Sequence, residues 1–406
     1  MSERIVICHC CDNVVRIPDG SDNTQNCCPR CGAVLRPAKI APLRQVAAVA
    51  ASAIVMLIAC INLPFMSVES MGVKASMSLI TIFSVLEMDW TFLLQLFAMV
   101  TFFFPLNVLG TIVLVGFFNY RPGVTMAKLY GFCHSLCMVD VFVLGIAVSL
   151  IKLTAMVSVS FHSGFFVSFV FSVMMIWCCS KCRPGRIWEL NRVKANIPLQ
   201  LRTGLSAKCQ HVKVCKRCGL PVVSTSLTEF DRCPRCEAKV SFRNDRWVQK
   251  CTALLTAALI LYLPANLYPI MVTTLFGSSN RSNIIDGVIA LWGMGSWFVA
   301  AVILLASIFI PVFKILSLAY LVYEVKFGRR TNSRFLSRLY RFVELIGKWS
   351  MIDVFVVIIM SSIVRMSGIV TIDPGFAIIC FCFVVLVTIF AAEEFDERLI
   401  WDKYYD

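Results

Sequence analysis

Eight long apolar runs restrict what this chain can become. They fall at about 46–66, 91–118, 129–151, 161–179, 250–271, 294–323, 342–364 and 375–392. In helical form, about 20 apolar residues cross the roughly 30 Å hydrocarbon core of a bilayer, where each backbone polar group must be paired within its own segment. The expected fold is an all-α polytopic membrane protein with eight spanning helices, two of them long enough to tilt. The 406 residues are 58% hydrophobic and 15% charged, far from the balance of a soluble domain. A formal charge of +14 raises nucleic acid as a partner. However, Lys and Arg gather in the connections between apolar runs, which is the positive-inside pattern, and no nucleic-acid binding is expected.

The distribution of these basic residues sets an orientation. Connections near 119–128, 181–250 and 325–341 are rich in Arg and Lys, whereas those near 67–90, 152–160, 272–293 and 365–374 are poor in them. Both termini are therefore expected in the cytoplasm. The first forty residues are polar and carry cysteines, so they do not read as a cleavable signal peptide.

Those forty residues have too few apolar side chains for a core and need a staple. Cys8 and Cys11 form one C-x2-C pair, and Cys28 and Cys31 another. Two such pairs on facing knuckles place four thiolates tetrahedrally around zinc, the zinc-ribbon pattern. It returns at Cys215, Cys218, Cys233 and Cys236, again with Pro-Arg between the last two cysteines. Two structural zinc ions are expected, in a reducing compartment. Redox dithiols are the competing reading, weakened because the pairs come in twos and no βαβ pattern surrounds them. Cys10, Cys27, Cys209 and His211 are nearby alternative ligands, and a one-residue shift in the first ribbon stays open.

The two halves look like internal repeats. Cys28 matches Cys233, Pro105 matches Pro311, Asp140 matches Asp353 and Lys152 matches Arg365, at offsets of 205 to 213 residues. The expected organisation is an N-terminal ribbon at 1–40, a four-helix repeat at 41–182, and a linker with the second ribbon at 183–245. A second four-helix repeat at 246–395 and a tail at 396–406 complete it. An even number of spans per half makes the repeats parallel, related by an axis along the membrane normal.

Within the membrane the segment K-W-S-M-I-D-V-F, Lys348 to Phe355, carries Asp353, and its earlier copy S-L-C-M-V-D-V-F carries Asp140 but lacks the Lys348 and Trp349 counterparts. Basic residues stand twelve positions to either side of each acid: Lys128 and Lys152 around Asp140, Arg341 and Arg365 around Asp353. That is roughly 18 Å each way along a helix, so both acids are expected near mid-bilayer. An ionised group there costs about 2.5–3.5 kcal/mol and marks either an interhelical staple or a polar site on a substrate or proton path. Lys314, twelve residues before Lys326, lies at similar depth and is the expected partner of Asp353. Val108 occupies its place in the first half, so the second half is the better candidate. His134 reads as a structural histidine, and Glu344 with Lys348 as a helix-stabilising pair. Pro264, Asn266 and Pro269 in L-P-A-N-L-Y-P-I-M, and Pro105 and Pro311 inside helices two and six, interrupt the backbone ladder. They give kinks, or a cavity between broken helices.

There is no Walker loop, H-E-x-x-H pair or nucleophile elbow, and the four histidines argue against a multi-haem carrier, so no enzyme activity is expected. The duplicated ribbons, L-P-A-N-L-Y-P-I, the Pro311 and Lys314 spacing and G-K-W-S-M-I-D-V-F together resemble the paraquat-inducible protein A family of Gram-negative inner membranes. The resemblance covers nearly the whole chain and weakens where Ser135 and Leu136 replace the Lys and Trp of the later motif. It implies an inner-membrane partner of a periplasmic MCE-domain tunnel protein that moves phospholipids between inner and outer membranes. A membrane adaptor that only anchors such a complex, and a redox protein acting through the cysteine pairs, are the alternatives.

Overall fold

The computed structural model describes residues 3–18, 26–36, 41–70, 73–78, 80, 91–154, 158–190, 201–223, 231–243, 246–275, 278–293, 295, 297–328, 332–347, 351–352, 354–359 and 370–402. Two hairpins open the chain: β1 (Glu3–Ile7) with β2 (Val14–Pro18), then β3 (Asn26–Cys27) with β4 (Val34–Arg36). Helix α1 (Leu43–Asn62) follows. Its buried Ala47, Ala50 and Ala53 make a smooth face for close helix approach. A side-chain carbon on Gly116 would come within 2.4 Å of Ala47 Cβ, so the facing helix depends on that glycine.

Beyond α1 the chain departs from the all-α expectation. β5 (Met66–Ser70) pairs with β6 (Val73–Met77) and, on its other edge, with β7 (Ser158–Phe161), in a three-stranded antiparallel sheet. The Ser67 and Ser160 hydroxyls meet across it at 2.7 Å. Between β6 and β7 run α2 (Thr91–Ala98), a π-helical turn (Met99–Phe103), α3 (Phe104–Phe117), α4 (Val124–Leu136) and α5 (Val139–Thr154). Helix α6 (Ser163–Lys181) returns to the ribbon end, followed by the short α7 (Pro184–Glu189).

The second ribbon uses β8 (Val212–Val214) with β9 (Pro221–Val223) and β10 (Asp231–Arg232) with β11 (Lys239–Val240). Then come α8 (Trp247–Leu267), β12 (Met271–Leu275), β13 (Ser278–Ser282), α9 (Ile284–Gly293), α10 (Trp297–Leu304), a π-helical turn (Leu305–Phe309), α11 (Ile310–Phe327), α12 (Ser333–Gly347), β14 (Val370–Pro374), α13 (Phe376–Glu394) and α14 (Leu399–Asp402). Again the strand after the first long helix is central, in the order β13-β12-β14. Pro105 and Pro311 fall in the first turn of α3 and α11, just after a π turn. The missing proline N–H costs little there, so the expected kinks take the form of π turns.

Among the described residues, seven helical stretches are long and apolar enough to cross a membrane: Leu43–Asn62, Gln95–Phe117, Val124–Ser149, Ser163–Lys181, Trp247–Leu267, Ala300–Phe327 and Phe376–Asp402. The eighth expected run, 342–364, falls partly outside the described residues. Many large apolar side chains on these helices point outward, such as Ile58, Phe166, Leu259 and Leu316. That is the pattern of a surface solvated by lipid tails.

The apolar interior shows an exchange of ribbons between halves. Cys8, Cys11 and Cys28 of the first ribbon belong to one buried cluster with Leu318, Leu321, Leu336, Val343 and Trp401, from α11, α12 and the end of the chain. Cys215, Cys218, Cys233 and Cys236 belong to another, with Cys178, Cys182, Ile187 and Trp188 of α6 and α7. The first ribbon thus packs with the helices of the second half, and the second ribbon shares its cluster with α6 and α7 of the first half.

Candidate functional site

Each ribbon brings four sulfur atoms within 4.8 Å of one another. In the first, Cys8 and Cys31 Sγ lie 3.5 Å apart and Cys11 and Cys28 Sγ 3.6 Å. In the second, Cys215–Cys236 and Cys218–Cys233 are both 3.5 Å. The backbone makes this arrangement four times over. Asp12, Gly32, Gly219 and Glu237, each following the second cysteine of a pair, take positive φ. Their N–H groups donate to the carbonyls of Cys8, Cys28, Cys215 and Cys233, closing a tight knuckle around each pair.

The donor sets fit a metal ion. A tetrahedron with metal–sulfur bonds of about 2.3 Å has edges near 3.8 Å, close to the separations seen. Charge points the same way. Cys215 is held down to about 5, chiefly by its hydrogen bond with Cys218. Cys236 is pushed up to about 11, first by burial. Four thiols this close cannot all ionise without a cation among them. Each group could therefore hold one metal ion. The register left open in the first ribbon closes on Cys8, Cys11, Cys28 and Cys31, while Cys27 and Cys209 are exposed. Among the described residues no third cluster of metal-ligating side chains appears. His134 instead places its Nε2 3.3 Å from the Cys179 carbonyl oxygen, a structural contact.

Between the two centres lies a network of ion pairs. Asp12 of the first ribbon pairs with Arg243 at 2.8 Å and Arg398 at 3.5 Å. Arg398 grips Asp396 at 2.8 Å, and Asp396 also meets Lys216 of the second ribbon at 3.4 Å. Arg243 chelates Asp402 through Nε and Nη2, both at 2.7 Å. Burial works against the Arg243 charge, but Asp402 and Asp12 outweigh it and raise its pKa. Helix α12 joins through Arg341, which pairs with Glu397 at 3.1 Å and donates to the Cys31 carbonyl at 3.4 Å. Arg30 lies over the Trp401 ring, and Trp401 donates to the Ser337 hydroxyl at 2.9 Å. Sequence reasoning missed this clamp. Its acids and arginines read as an ordinary solvated tail, and its partners are hundreds of residues apart.

Within the membrane, the span Val124–Ser149 is not one helix. α4 stops at Leu136, Cys137 is extended, Met138 lies outside both helices, and α5 starts at Val139. Asp140 is therefore not in a helix interior, as expected, but in the first turn of a new helix, where the dipole favours a carboxylate. Neither proline nor glycine announces this break. Asp353, Lys348 and Trp349 lie outside the described residues. Their neighbours are described: Gly347 is the last described residue of α12 (Ser333–Gly347), and Ile352 is helical.

Lys314 lies near the middle of the span Ala300–Phe327 and is only 2% exposed. Its Nζ has no hydrogen-bond partner among the described residues. A side-chain carbon on Gly347 would come within 3.0 Å of that Nζ, so the glycine leaves the space the amine occupies. Pro264 lies inside the last turn of α8, Asn266 donates to the Tyr262 carbonyl at 2.9 Å, and Pro269 follows the helix end. The Tyr262 hydroxyl reaches Ile308 in the second π turn at 3.5 Å, tying the proline segment to α11.

The two halves meet on their matching segments. Phe97, Phe142 and Phe355 form an aromatic triangle with centroid separations of 5.6, 5.7 and 6.2 Å. Beside it, a side-chain carbon on Gly145 would stand 2.9 Å from Phe355 Cβ, so α5 crosses residues 354–359 at close range.

With this geometry in place, comparison with known proteins is informative. The sequence pattern described as paraquat-inducible protein A matches residues 43–191 and 248–405. The intermembrane transport protein PqiA of Escherichia coli (strain K12) is 34% identical over 404 residues, covering 98% of this chain and 95% of that protein. A probable intermembrane transport protein of Haemophilus influenzae is 28% identical over 417 residues, covering 99% and 97%. The lipophilic envelope-spanning tunnel protein A of Escherichia coli (strain K12) is 26% identical over 409 residues, covering 98% and 91%. No solved structure matches the chain.

Proposed function

The chain belongs to the paraquat-inducible protein A family, and from that premise we propose that it is a non-enzymatic transport subunit of a Gram-negative inner membrane. It moves phospholipids between the inner and outer membranes together with a periplasmic MCE-domain tunnel protein. The names of its relatives, intermembrane transport protein and lipophilic envelope-spanning tunnel protein, support this reading.

In this reading the membrane part has eight spans in two parallel four-helix repeats, with both termini and both ribbons in the cytoplasm. Support comes from the family pattern, which falls on two stretches of similar length, and from the two three-stranded sheets of like strand order. The metal is zinc, held by Cys8, Cys11, Cys28 and Cys31 and by Cys215, Cys218, Cys233 and Cys236. When bound it supplies charge compensation and a rigid knuckle, not catalysis. The residues of the ion-pair clamp then join both ribbons to the end of the chain.

The observation that carries the functional reading is Lys314, a buried amine in the centre of a span, with the space for its Nζ left by Gly347 of α12. Ionisable side chains within spans mark substrate or ion paths. Lys314 and Asp353 form the polar site, with Lys348, Trp349, Pro311, Pro264, Asn266 and Pro269 around it and Asp140 as the weaker counterpart. Lipid enters from the bilayer, passes this site and leaves on the side of the sheets. The test is site-specific photo-crosslinking from positions flanking Asp353, with mass spectrometry of the adduct. Captured phospholipid supports transport, whereas adducts of protein alone return the chain to an adaptor role.

A further inference from the structure

A cavity of about 260 Å³ lies between the halves, with Gln95, Met99, Phe104, Leu136, Met138 and Met351 in its wall. Gln95 and Met99 are exposed at its mouth, whereas Met138 and Met351 are both 1% exposed at its floor. The floor is made where the matching segments meet, since Met138 caps the start of α5 and Met351 opens the corresponding stretch. Gln95 aside, the wall residues named are apolar, and no charged side chain lines the cavity among the described residues.

Depth identifies what fits. Gln95 lies one turn into α2, toward the sheet end of its membrane stretch, and Phe104 lies nine residues further in. At helical rise that is about 13 Å, close to half of the roughly 30 Å hydrocarbon core. Leu136 and Met138 lie midway along Val124–Ser149, so an independent helix also places the floor at mid-bilayer. The cavity therefore runs from the interface to the bilayer centre, the path of a chain in one leaflet. Cavities lined by apolar side chains offer water no partners and accept hydrocarbon, as one of about 150 Å³ accepts benzene. Three flexible, polarisable methionines adapt to chains of varied shape.

We infer that this cavity holds one acyl chain of a membrane lipid from the leaflet on the side of the sheets. Gln95 hydrogen-bonds the ester region at the mouth, and the chain end lies between Met138 and Met351. The headgroup stays outside, so the site selects for a chain and not for headgroup charge. This inference rests on the reading of the chain as a lipid-handling protein, and it names a site separate from Lys314.

The test uses the full chain in vesicles of phosphatidylethanolamine and phosphatidylglycerol containing phospholipid probes with a diazirine near the ester or at the chain end. The ester-proximal probe labels α2 around Gln95, and the chain-end probe labels the peptides of Met138 and Met351. Filling the floor with Met138→Trp, or separately with Met351→Trp, lowers the deep adducts at least about tenfold and leaves adducts on the outward face of α6 unchanged. Labelling that does not depend on diazirine position, or deep adducts that persist in both folded variants, overturns the inference. Lipid transfer between vesicles by the unaltered protein, reconstituted with its MCE-domain tunnel protein, is measured alongside. Depth-ordered labelling without transfer upholds the chain site and removes the transport reading; transfer without deep labelling removes the chain site alone.

Discussion

Phe142 and Phe355, the matching phenylalanines of M-V-D-V-F and M-I-D-V-F, stand edge to face with ring centroids 5.7 Å apart. Contact between corresponding residues is what a twofold-like arrangement of two halves produces, as at an isologous interface. The contact is tight because Gly145 brings α5 against Phe355. Gly145→Val is expected to overpack this crossing and cost about 1–3 kcal/mol. Thermal unfolding of the detergent-solubilised protein reads the loss. An unchanged midpoint would mean that the halves do not pack at this point.

The four-sulfur centres make a compositional prediction. The purified chain should carry two equivalents of metal, falling to one in Cys28→Ser and one in Cys233→Ser. Cys10→Ser and Cys27→Ser should keep both, because neither residue belongs to the four-sulfur groups. Elemental analysis after gel filtration gives the counts. Because the first ribbon packs with the helices of the second half, Cys28→Ser should raise hydrogen exchange in α12 and α14. Loosening confined to α1 and α3 would contradict that exchange of ribbons.

The ribbons and most spans were legible in the sequence for simple physical reasons. Thiolate spacing is set by the metal, and span length by the bilayer, so both leave regular marks. What was hidden depends on neighbours distant in sequence. Cys137 and Met138 have no helix-breaking composition, and only packing against the other half makes the helix stop there. The strands Met66–Ser70 and Met271–Leu275 are too short to show a period beside a twenty-residue helix. Asp12 reads as a loop residue after a cysteine pair, yet it bridges to Arg243 and Arg398. Asp140 was expected in a helix interior and lies in the first turn of α5, because spacing to flanking basic residues carries no information on where a helix starts.

That clamp separates structural from ornamental charges. Arg398 and Asp396 are 6% and 5% exposed on their side chains, whereas Lys250 and Glu394 are 50% and 36% exposed. Arg398→Ala leaves Asp396 and Asp12 short of a buried counter-charge and is expected to cost about 3–5 kcal/mol. Lys250→Ala should cost no more than about 1 kcal/mol. Asp396→Asn combined with Arg398→Met should recover part of the loss, since removing both charges removes the desolvation burden. Urea unfolding followed by Trp401 fluorescence distinguishes the three. Equal losses for Arg398→Ala and Lys250→Ala would show that the clamp carries no special load.

Lys314 gives the sharpest separation of stability from function. Its amine is buried in a span without a hydrogen-bond partner among the described residues, a position that costs about 2.5–3.5 kcal/mol when charged. Lys314→Met keeps the chain length and removes the polar atom, so the protein should be as stable as before or more so. Gly347→Val, by contrast, crowds the space beside Nζ and should lower stability by about 1–3 kcal/mol. If the amine serves transport, Lys314→Met should slow lipid transfer between reconstituted vesicles at least about tenfold, a loss of ~1.4 kcal/mol in the barrier, while its unfolding midpoint holds or rises. A structural staple behaves in the opposite way: its removal lowers the midpoint, and the folded fraction still transfers lipid at the original rate.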